Sequence, residues 1–86
     1  MKMIPLAPAG AKLPGVAFLS SAYVRSHGKQ PRGRGCWIFC PMTHYNKPDY
    51  LEHCGTVSGA ATTLTEAKRA AAAYFGEEYD YVVICP

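Results

Sequence analysis

One segment of the sequence contains both of its own helix boundaries, and it constrains the fold more than any other. Thr63 and Glu66 match a capping box, in which each side chain accepts a hydrogen bond from the other residue's backbone N–H. Gly76 predicts that the helix ends in a left-handed conformation. Between these ends, apolar residues at helical spacing form one stripe: Leu64, Ala67, Ala71 and Phe75. Alanine makes this stripe flat, which suits close packing on a β-sheet.

The rest of the chain predicts strands and one extended arm. Four segments are rich in β-branched and aromatic residues and predict strands: Val16–Val24, Cys36–Cys40, Leu51–Val57 and Tyr79–Cys85. Prolines and glycines exclude a regular helix or a central strand from residues 1–15. Since 86 residues suffice for one domain only, we expect an N-terminal arm (1–15) and a single α+β domain (16–86). The order β-β-β-α-β predicts two layers, one amphipathic helix on an antiparallel sheet of about three or four strands.

Charge is distributed unevenly along the chain. Residues 1–48 hold seven lysines and arginines and no carboxylate, whereas residues 49–86 hold two such cations and six carboxylates. The two parts therefore carry formal charges of +7 and −4, which give the net charge of +3. Such an asymmetry concerns partners more than the fold, and it predicts that the N-terminal part attracts phosphate or carboxylate groups.

The positive charge is densest in the segment 25–34, which we expect to be a hairpin loop. Its four cations are Arg25, Lys29, Arg32 and Arg34. Short basic runs are weak motifs, and one interpretation is a solvated loop that only aids solubility. The other is a flexible arm that contacts phosphates, with Arg32 and Arg34 making bidentate hydrogen bonds. The interpretation as a phosphate-binding arm is favoured because no carboxylate close in sequence neutralises the loop. The first acidic residue after Arg34 is Asp49.

Aromatic residues in the second predicted strand are either covered by another part of the chain or exposed for binding. Strand alternation places Trp37 and Phe39 on one face, opposite three other apolar residues. Because one helix covers only one face, the other face is either a stacking platform or protein interface, or is covered by apolar residues of the arm; those residues are Met3, Ile4 and Leu6. An uncovered face would also favour a dimer. Trp37 and Tyr45 are the aromatic candidates near the basic loop.

Four cysteines and three histidines raise the question of a metal. A zinc site would need Cys40, His44 and one of His53 or Cys54 to converge from loops. Residues four apart on a strand are separated by about 13 Å, whereas two thiolates on one zinc ion are about 4 Å apart. Adjacent residues such as His53 and Cys54 would point to opposite faces of a strand. We therefore expect no metal ligand and no cofactor, and a small structural zinc-binding protein stays an alternative.

The same residues give little indication of catalysis. A nucleophilic pair can be drawn from Cys40 with His44 or from Cys54 with His53, but neither has a carboxylate at informative spacing. We expect no catalytic residue and no enzyme. The sequence shows neither an apolar run of membrane-spanning length nor an export signal. We therefore expect a cytoplasmic protein with reduced thiols and no membrane partner.

The C-terminal part carries a resemblance to a known class of proteins. The capped helix from Thr63 to Gly76, followed by the strand Tyr79–Cys85, resembles small phage-encoded anti-CRISPR proteins, several of which place one capped helix on a small antiparallel sheet. The resemblance covers roughly residues 51–85 and concerns architecture, so it transfers no functional residue. It implies a non-enzymatic inhibitor that binds a ribonucleoprotein complex of a bacterial host and blocks target DNA. Many such inhibitors are acidic DNA mimics, whereas this basic chain points toward guide RNA, other phosphate-rich surfaces or acidic protein patches.

Together these patterns favour a small non-catalytic binding protein whose basic loop engages an anionic partner. That partner is a protein or ribonucleoprotein complex, or alternatively nucleic acid bound directly. The candidate partner-binding residues are Arg25, Lys29, Arg32, Arg34, Trp37 and Tyr45. This hypothesis requires that the basic side chains form no ion pairs with the carboxylates of the C-terminal half.

Overall fold

The computed structural model describes residues 1–57 and 62–86, and in this part of the chain helices pack on a five-stranded sheet. The α+β class expected from the sequence is thereby confirmed, with more strands and helices than predicted. In chain order the elements are β1 (Lys2–Ile4), β2 (Ala17–Leu19), α1 (Ser21–His27), β3 (Arg34–Gly35), β4 (Ile38–Pro41), a 3-10 helix (Met42–His44), α2 (Tyr50–His53), β5 (Gly55–Val57), β6 (Thr62–Thr63), α3 (Leu64–Phe75) and β7 (Tyr81–Ile84).

The main sheet is mixed, whereas the sequence predicted an antiparallel one. Its strand order is β1-β5-β4-β7-β2, and β3 pairs separately with β6. The three inner strands are antiparallel, but both outer strands pair in parallel with their neighbours. The antiparallel prediction assumed hairpins between successive strands, and here most sheet neighbours are distant in sequence. The predicted arm accordingly begins with an edge strand, in which Lys2 pairs with Gly55.

Helix α3 begins as predicted and packs on the sheet through its alanine face. Thr63 Oγ1 accepts a hydrogen bond from the Glu66 N–H at 3.2 Å, and Glu66 Oε1 accepts one from the Thr63 N–H at 3.4 Å. These two bonds form the capping box. The buried face of the helix consists of Ala67, Ala70, Ala71, Ala72 and Phe75. The core also contains sheet residues, among them Ile4, Phe39, Val82 and Ile84.

The C-terminal end of α3 differs from the prediction. Gly76 has φ −67° and ψ −19°, a right-handed conformation in place of the left-handed one expected. Space, and not backbone conformation, is what favours glycine here. A Cβ at this position would lie 2.6 Å from the Cβ of Pro14. Glycine therefore lets the N-terminal arm pack against the end of the helix.

Trp37 and Phe39 lie in the core. Trp37 is 6% exposed and Phe39 is fully buried, and both belong to the same cluster as Ile4 and the α3 alanines. An open stacking platform on this face is therefore wrong. The arm contributes Ile4 to the cluster, whereas Met3 and Leu6 remain exposed. Near the other face, α2 contacts β4 and the 3-10 helix contacts β7.

Two segments predicted as strands each contain a helix. Within Val16–Val24, only Ala17–Leu19 pairs with β7, and α1 begins at Ser21. Within Leu51–Val57, α2 continues to His53 before β5 begins. Composition alone did not separate the two states, because aromatic and β-branched residues also occupy short helices that pack on a sheet.

The basic segment (residues 25–34) therefore runs from the end of α1 to β3, and it is not the loop of a hairpin between two long strands.

The bounds of two predicted strands also differ. The next long strand spans Ile38–Pro41 and not Cys36–Cys40. It includes Pro41 as its last residue, which pairs with Val82 of β7. The final strand is Tyr81–Ile84, shorter than the predicted Tyr79–Cys85.

Among the helices of residues 1–57 and 62–86, none has the length and apolar character needed to cross a bilayer.

Candidate functional site

A cleft of about 340 Å³ lies between α1, the segment 28–33 and strands β3 and β4. Three of the four cations singled out by the sequence line it: Lys29, Arg32 and Arg34. Two aromatic side chains of α1, Tyr23 and His27, line it as well. All three cations and His27 are exposed. We call this feature the basic cleft.

Helix α1 places the aromatic pair at the cleft. Tyr23 and His27 are four residues apart and therefore neighbours on one helix face, where their rings stack at 4.0 Å with an interplanar angle of 17°. The helix ends at Gly28, whose φ of 73° is left-handed and favours glycine. The Gly28 N–H donates to the Val24 carbonyl at 2.8 Å. The chain thus turns directly from the stacked rings into the basic segment.

The basic segment is held at both ends. Near its start, Ser20 Oγ donates to Gln30 Oε1 at 3.4 Å. At its end, the Leu64 N–H donates to the Gly33 carbonyl at 2.9 Å, and β3 pairs with β6 directly before α3. Its position relative to α1 and α3 is therefore defined, and the cations form a wall of the basic cleft.

Charge compensation differs among the four cations. Within residues 1–57 and 62–86, Arg25, Lys29 and Arg32 form no ion pair with a carboxylate. Arg34 lies near Glu66, whose pKa is lowered by hydrogen bonds from Thr63 and, to a smaller extent, by the Arg34 guanidinium. One of the four cations is therefore associated with the acidic half of the chain. Among the described residues, Lys29 and Arg32 of the basic cleft have no carboxylate partner.

The two predicted aromatic anchors take different positions. Trp37 lines the basic cleft but is buried, and its indole N–H donates to the Thr62 carbonyl at 3.1 Å. Tyr45 lines a second cleft of about 330 Å³, and its ring meets the edge of Tyr50 at 6.4 Å. Burial raises the pKa of Tyr45. Neither Tyr45 nor Arg25 lines the basic cleft, so the six predicted residues do not form one site.

Three of the four free thiols, those of Cys40, Cys54 and Cys85, lie close enough to interact with one another. Cys40 and Cys54 are buried and Cys85 is partly buried, while Cys36 is exposed. Burial raises the pKa of Cys40, and the neighbouring Cys54 thiol adds to this rise. Burial and the same Cys54 thiol raise the pKa of Cys85 to about 12. Cys40 and Cys85 therefore remain protonated at neutral pH and act as apolar groups.

A second cluster unites two histidines and an aspartate. His53 Nε2 lies 3.1 Å from Asp49 Oδ2, and His44 Nδ1 lies 3.8 Å from the same oxygen. The imidazole rings of His44 and His53 stack at 3.6 Å. Neither Cys40 nor Cys54 joins this set among the described residues. The convergence of both histidines was not expected, since His53 was assigned to a strand and it ends a helix.

The sequence did contain a signal for this cluster. Asp49 and His53 are four residues apart, which is the spacing of contacting side chains on a helix. Because residues 51–57 were assigned to a strand, a contact between Asp49 and His53 was not predicted. Asp49 also precedes α2 at the N-cap position yet makes no side-chain capping bond. Its carboxylate contacts the two histidines in place of the helix N-terminus.

Comparison with known proteins finds no matching family model, no similar curated protein and no similar solved structure.

Proposed function

We propose that this protein is a non-enzymatic binding protein that engages a phosphate-bearing partner through the basic cleft. One observation carries the proposal: Lys29, Arg32 and Arg34 line a single cleft next to the stacked rings of Tyr23 and His27. The charge asymmetry of the sequence points to the same surface.

Nucleic acid is the partner whose chemistry suits this lining best. Guanidinium groups bind phosphate oxygens in a bidentate manner, and lysine adds a point charge. Aromatic rings next to such cations bind unpaired bases by stacking. His27 is exposed at the cleft, so its ring is accessible to a base. A single strand of RNA or DNA, free or within a ribonucleoprotein, presents both groups.

The non-enzymatic part of the proposal is supported by the thiols. The candidate nucleophiles Cys40 and Cys54 are both buried, and burial raises the pKa of Cys40. A thiol must be accessible and deprotonated to act as a nucleophile.

A narrower form of the proposal is an anti-CRISPR-like inhibitor acting in the cytoplasm of a bacterial host. In this form the basic cleft contacts the guide RNA or another phosphate-rich part of the host complex. The basic net charge of the chain argues for such contacts over mimicry of DNA.

The test measures binding of a fluorescently labelled single-stranded RNA as a function of salt. Three phosphate contacts predict a log-log salt slope of about −2 between about 50 and 200 mM salt. A double variant, Lys29→Glu with Arg32→Glu, should abolish binding. Arg34 is left unchanged because it lies near Glu66 of the helix cap.

The matched control is Lys12→Glu with Lys47→Glu, which changes the net charge equally at exposed residues outside the basic cleft. Binding should persist in this control. Equal loss in both double variants, or binding that does not respond to salt, would contradict the proposal. A pull-down from bacterial lysate, with and without nuclease, then distinguishes free nucleic acid from a ribonucleoprotein.

A further inference from the structure

His44, Asp49 and His53 are brought together by two short helical turns after β4. His44 ends the 3-10 helix, Asp49 directly precedes α2, and His53 is the last residue of α2. Backbone hydrogen bonds hold the intervening chain, from the Lys47 N–H to the His44 carbonyl and from the Tyr50 N–H to the Lys47 carbonyl. The local backbone therefore holds the three residues close together.

Their donor atoms suit a transition-metal ion. Each residue offers one nitrogen or oxygen, and these three atoms lie within 4.8 Å of one another. Ligands of a tetrahedral zinc ion, each about 2.0 to 2.1 Å from the metal, are separated by about 3.3 Å. The widest of these gaps therefore has to close by no more than about 1.5 Å. Two imidazoles and a carboxylate match the ligand set of zinc sites that keep a position for water.

The side chains have room for this adjustment. The two rings are nearly parallel, with an interplanar angle of 13°, so each has to rotate to direct a nitrogen at a shared ion. His44, His53 and Asp49 are 27%, 30% and 48% exposed. A groove of about 150 Å³, lined by His53 and Tyr79, opens next to the cluster. Solvent therefore reaches the place where an ion would bind.

A neighbouring tyrosine contacts the Nε2 atom of His44. The Tyr79 hydroxyl lies 3.3 Å from His44 Nε2, on the side of the ring away from Asp49. When Nε2 carries the proton and donates it to the tyrosine oxygen, Nδ1 presents a lone pair toward Asp49. Metal-binding histidines commonly donate their second N–H to such a partner, which fixes the ring.

We propose that His44, Asp49 and His53 form a binding site for a divalent transition-metal ion, with Zn²⁺ as the best match and water completing the coordination. This site shares no residue with the basic cleft, so it stands independently of the proposed function. It also differs from the zinc site considered for the sequence, because it uses no thiol.

The experiment is equilibrium dialysis of the full chain against Zn²⁺ after removal of metal with a chelator, followed by elemental analysis. We expect one zinc ion per chain in the wild type and none in Asp49→Asn or His53→Ala. His27→Ala is the matched control, since His27 lies in α1, and it should bind zinc like the wild type. Tyr79→Phe should weaken binding by about tenfold, with its unfolding measured without zinc to separate a structural effect.

Cobalt substitution identifies the ligands. Co²⁺ at the proposed site should give ligand-field absorption without the charge-transfer absorption of a thiolate ligand. A wild-type chain that binds no zinc, retention of zinc by both Asp49→Asn and His53→Ala, or a thiolate charge-transfer band would each overturn the proposal. Circular dichroism of every variant shows whether a loss of binding reflects a loss of fold.

Discussion

Trp37 donates its indole N–H to the carbonyl oxygen of Thr62 at a distance of 3.1 Å. The donor lies directly before β4, and the acceptor belongs to β6 of the small strand pair. Both residues are buried, so neither group exchanges its partner for water. This bond connects the wall of the basic cleft to the core of the domain.

Trp37→Phe should lower the free energy of unfolding by about 2 kcal/mol. The substitution leaves the Thr62 carbonyl without its donor, and it removes buried volume. Urea unfolding followed by circular dichroism measures the change. Tyr81→Phe, at a residue that is 54% exposed, is the control and should change stability by about 0.5 kcal/mol or less. Equal midpoints for the two variants would show that the bond contributes nothing.

Gly55→Ala should destabilise the sheet by about 1 to 3 kcal/mol. A Cβ at Gly55 would lie 2.6 Å from Cδ1 of Ile4, and Ile4 is fully buried, so its side chain has little space to move. The control is Gly15→Ala, where a Cβ meets no atom within 4 Å. Thermal unfolding of both variants tests the close approach of β1 and β5, and an unchanged melting temperature for Gly55→Ala would contradict it.

The α3 cap should contribute a pH-dependent part of the stability. Thr63→Ala should cost about 1 kcal/mol because the first turn of the helix loses a bonded N–H. Hydrogen bonds from Thr63 lower the pKa of Glu66 from its ordinary value of 4.5. The fold thus favours the ionised carboxylate, whose contribution is present above that ordinary value and is lost as the pH falls through the lowered one.

Glu66→Gln tests this sign. Relative to the wild type, it should be less stable at neutral pH, and the difference should shrink in acid. Glu77→Gln, at an exposed carboxylate after the helix, is the control. Urea midpoints measured from neutral to acid pH provide the comparison. A gap between Glu66→Gln and the wild type that widens in acid would contradict the assignment.

Thiol modification should separate Cys36 from the other cysteines. Cys36 is exposed, whereas Cys40 and Cys54 are buried and Cys85 is partly buried. Burial also raises the pKa values of Cys40 and Cys85, which keeps them as unreactive thiols. Iodoacetamide treatment at neutral pH, followed by mass spectrometry, should show one fast modification. Cys36→Ser should remove it, and fast labelling of any other cysteine in that variant would contradict the burial.

Local signals in the sequence were sufficient for the parts of the fold that depend on local chemistry. The capping box of α3 and its alanine stripe follow from residue types at fixed spacing, and both are present. The pairing of β1 with β5 and of β2 with β7 does not follow from such signals, because parallel partners lie far apart in sequence. Short helices such as α2 are marginal by propensity, and tertiary contacts decide their state.

The candidate sites, like the fold, were predictable only where local sequence patterns indicate them. The basic segment was visible as a charge run, and Lys29, Arg32 and Arg34 do share one cleft. The aromatic residues beside them were not identifiable, since Tyr23 and His27 come together only when residues 21–27 form a helix. Trp37 was evident as an aromatic residue near the basic run, but its burial depends on which sheet face α3 covers.

The pairing of β2 with β7 has a consequence for synthesis of the protein. The Ala17 N–H donates to the Asp80 carbonyl at 2.9 Å, and Ala17 pairs with Tyr81, so this edge of the sheet forms only after both of these distant segments have been synthesised. A ribosome-bound chain that ends before residue 81 holds β2 without its neighbour. Topologies with such distant partners fold slowly. Formation of this edge of the sheet therefore follows synthesis of β7, and removal of β7 should leave β2 without its pairing partner.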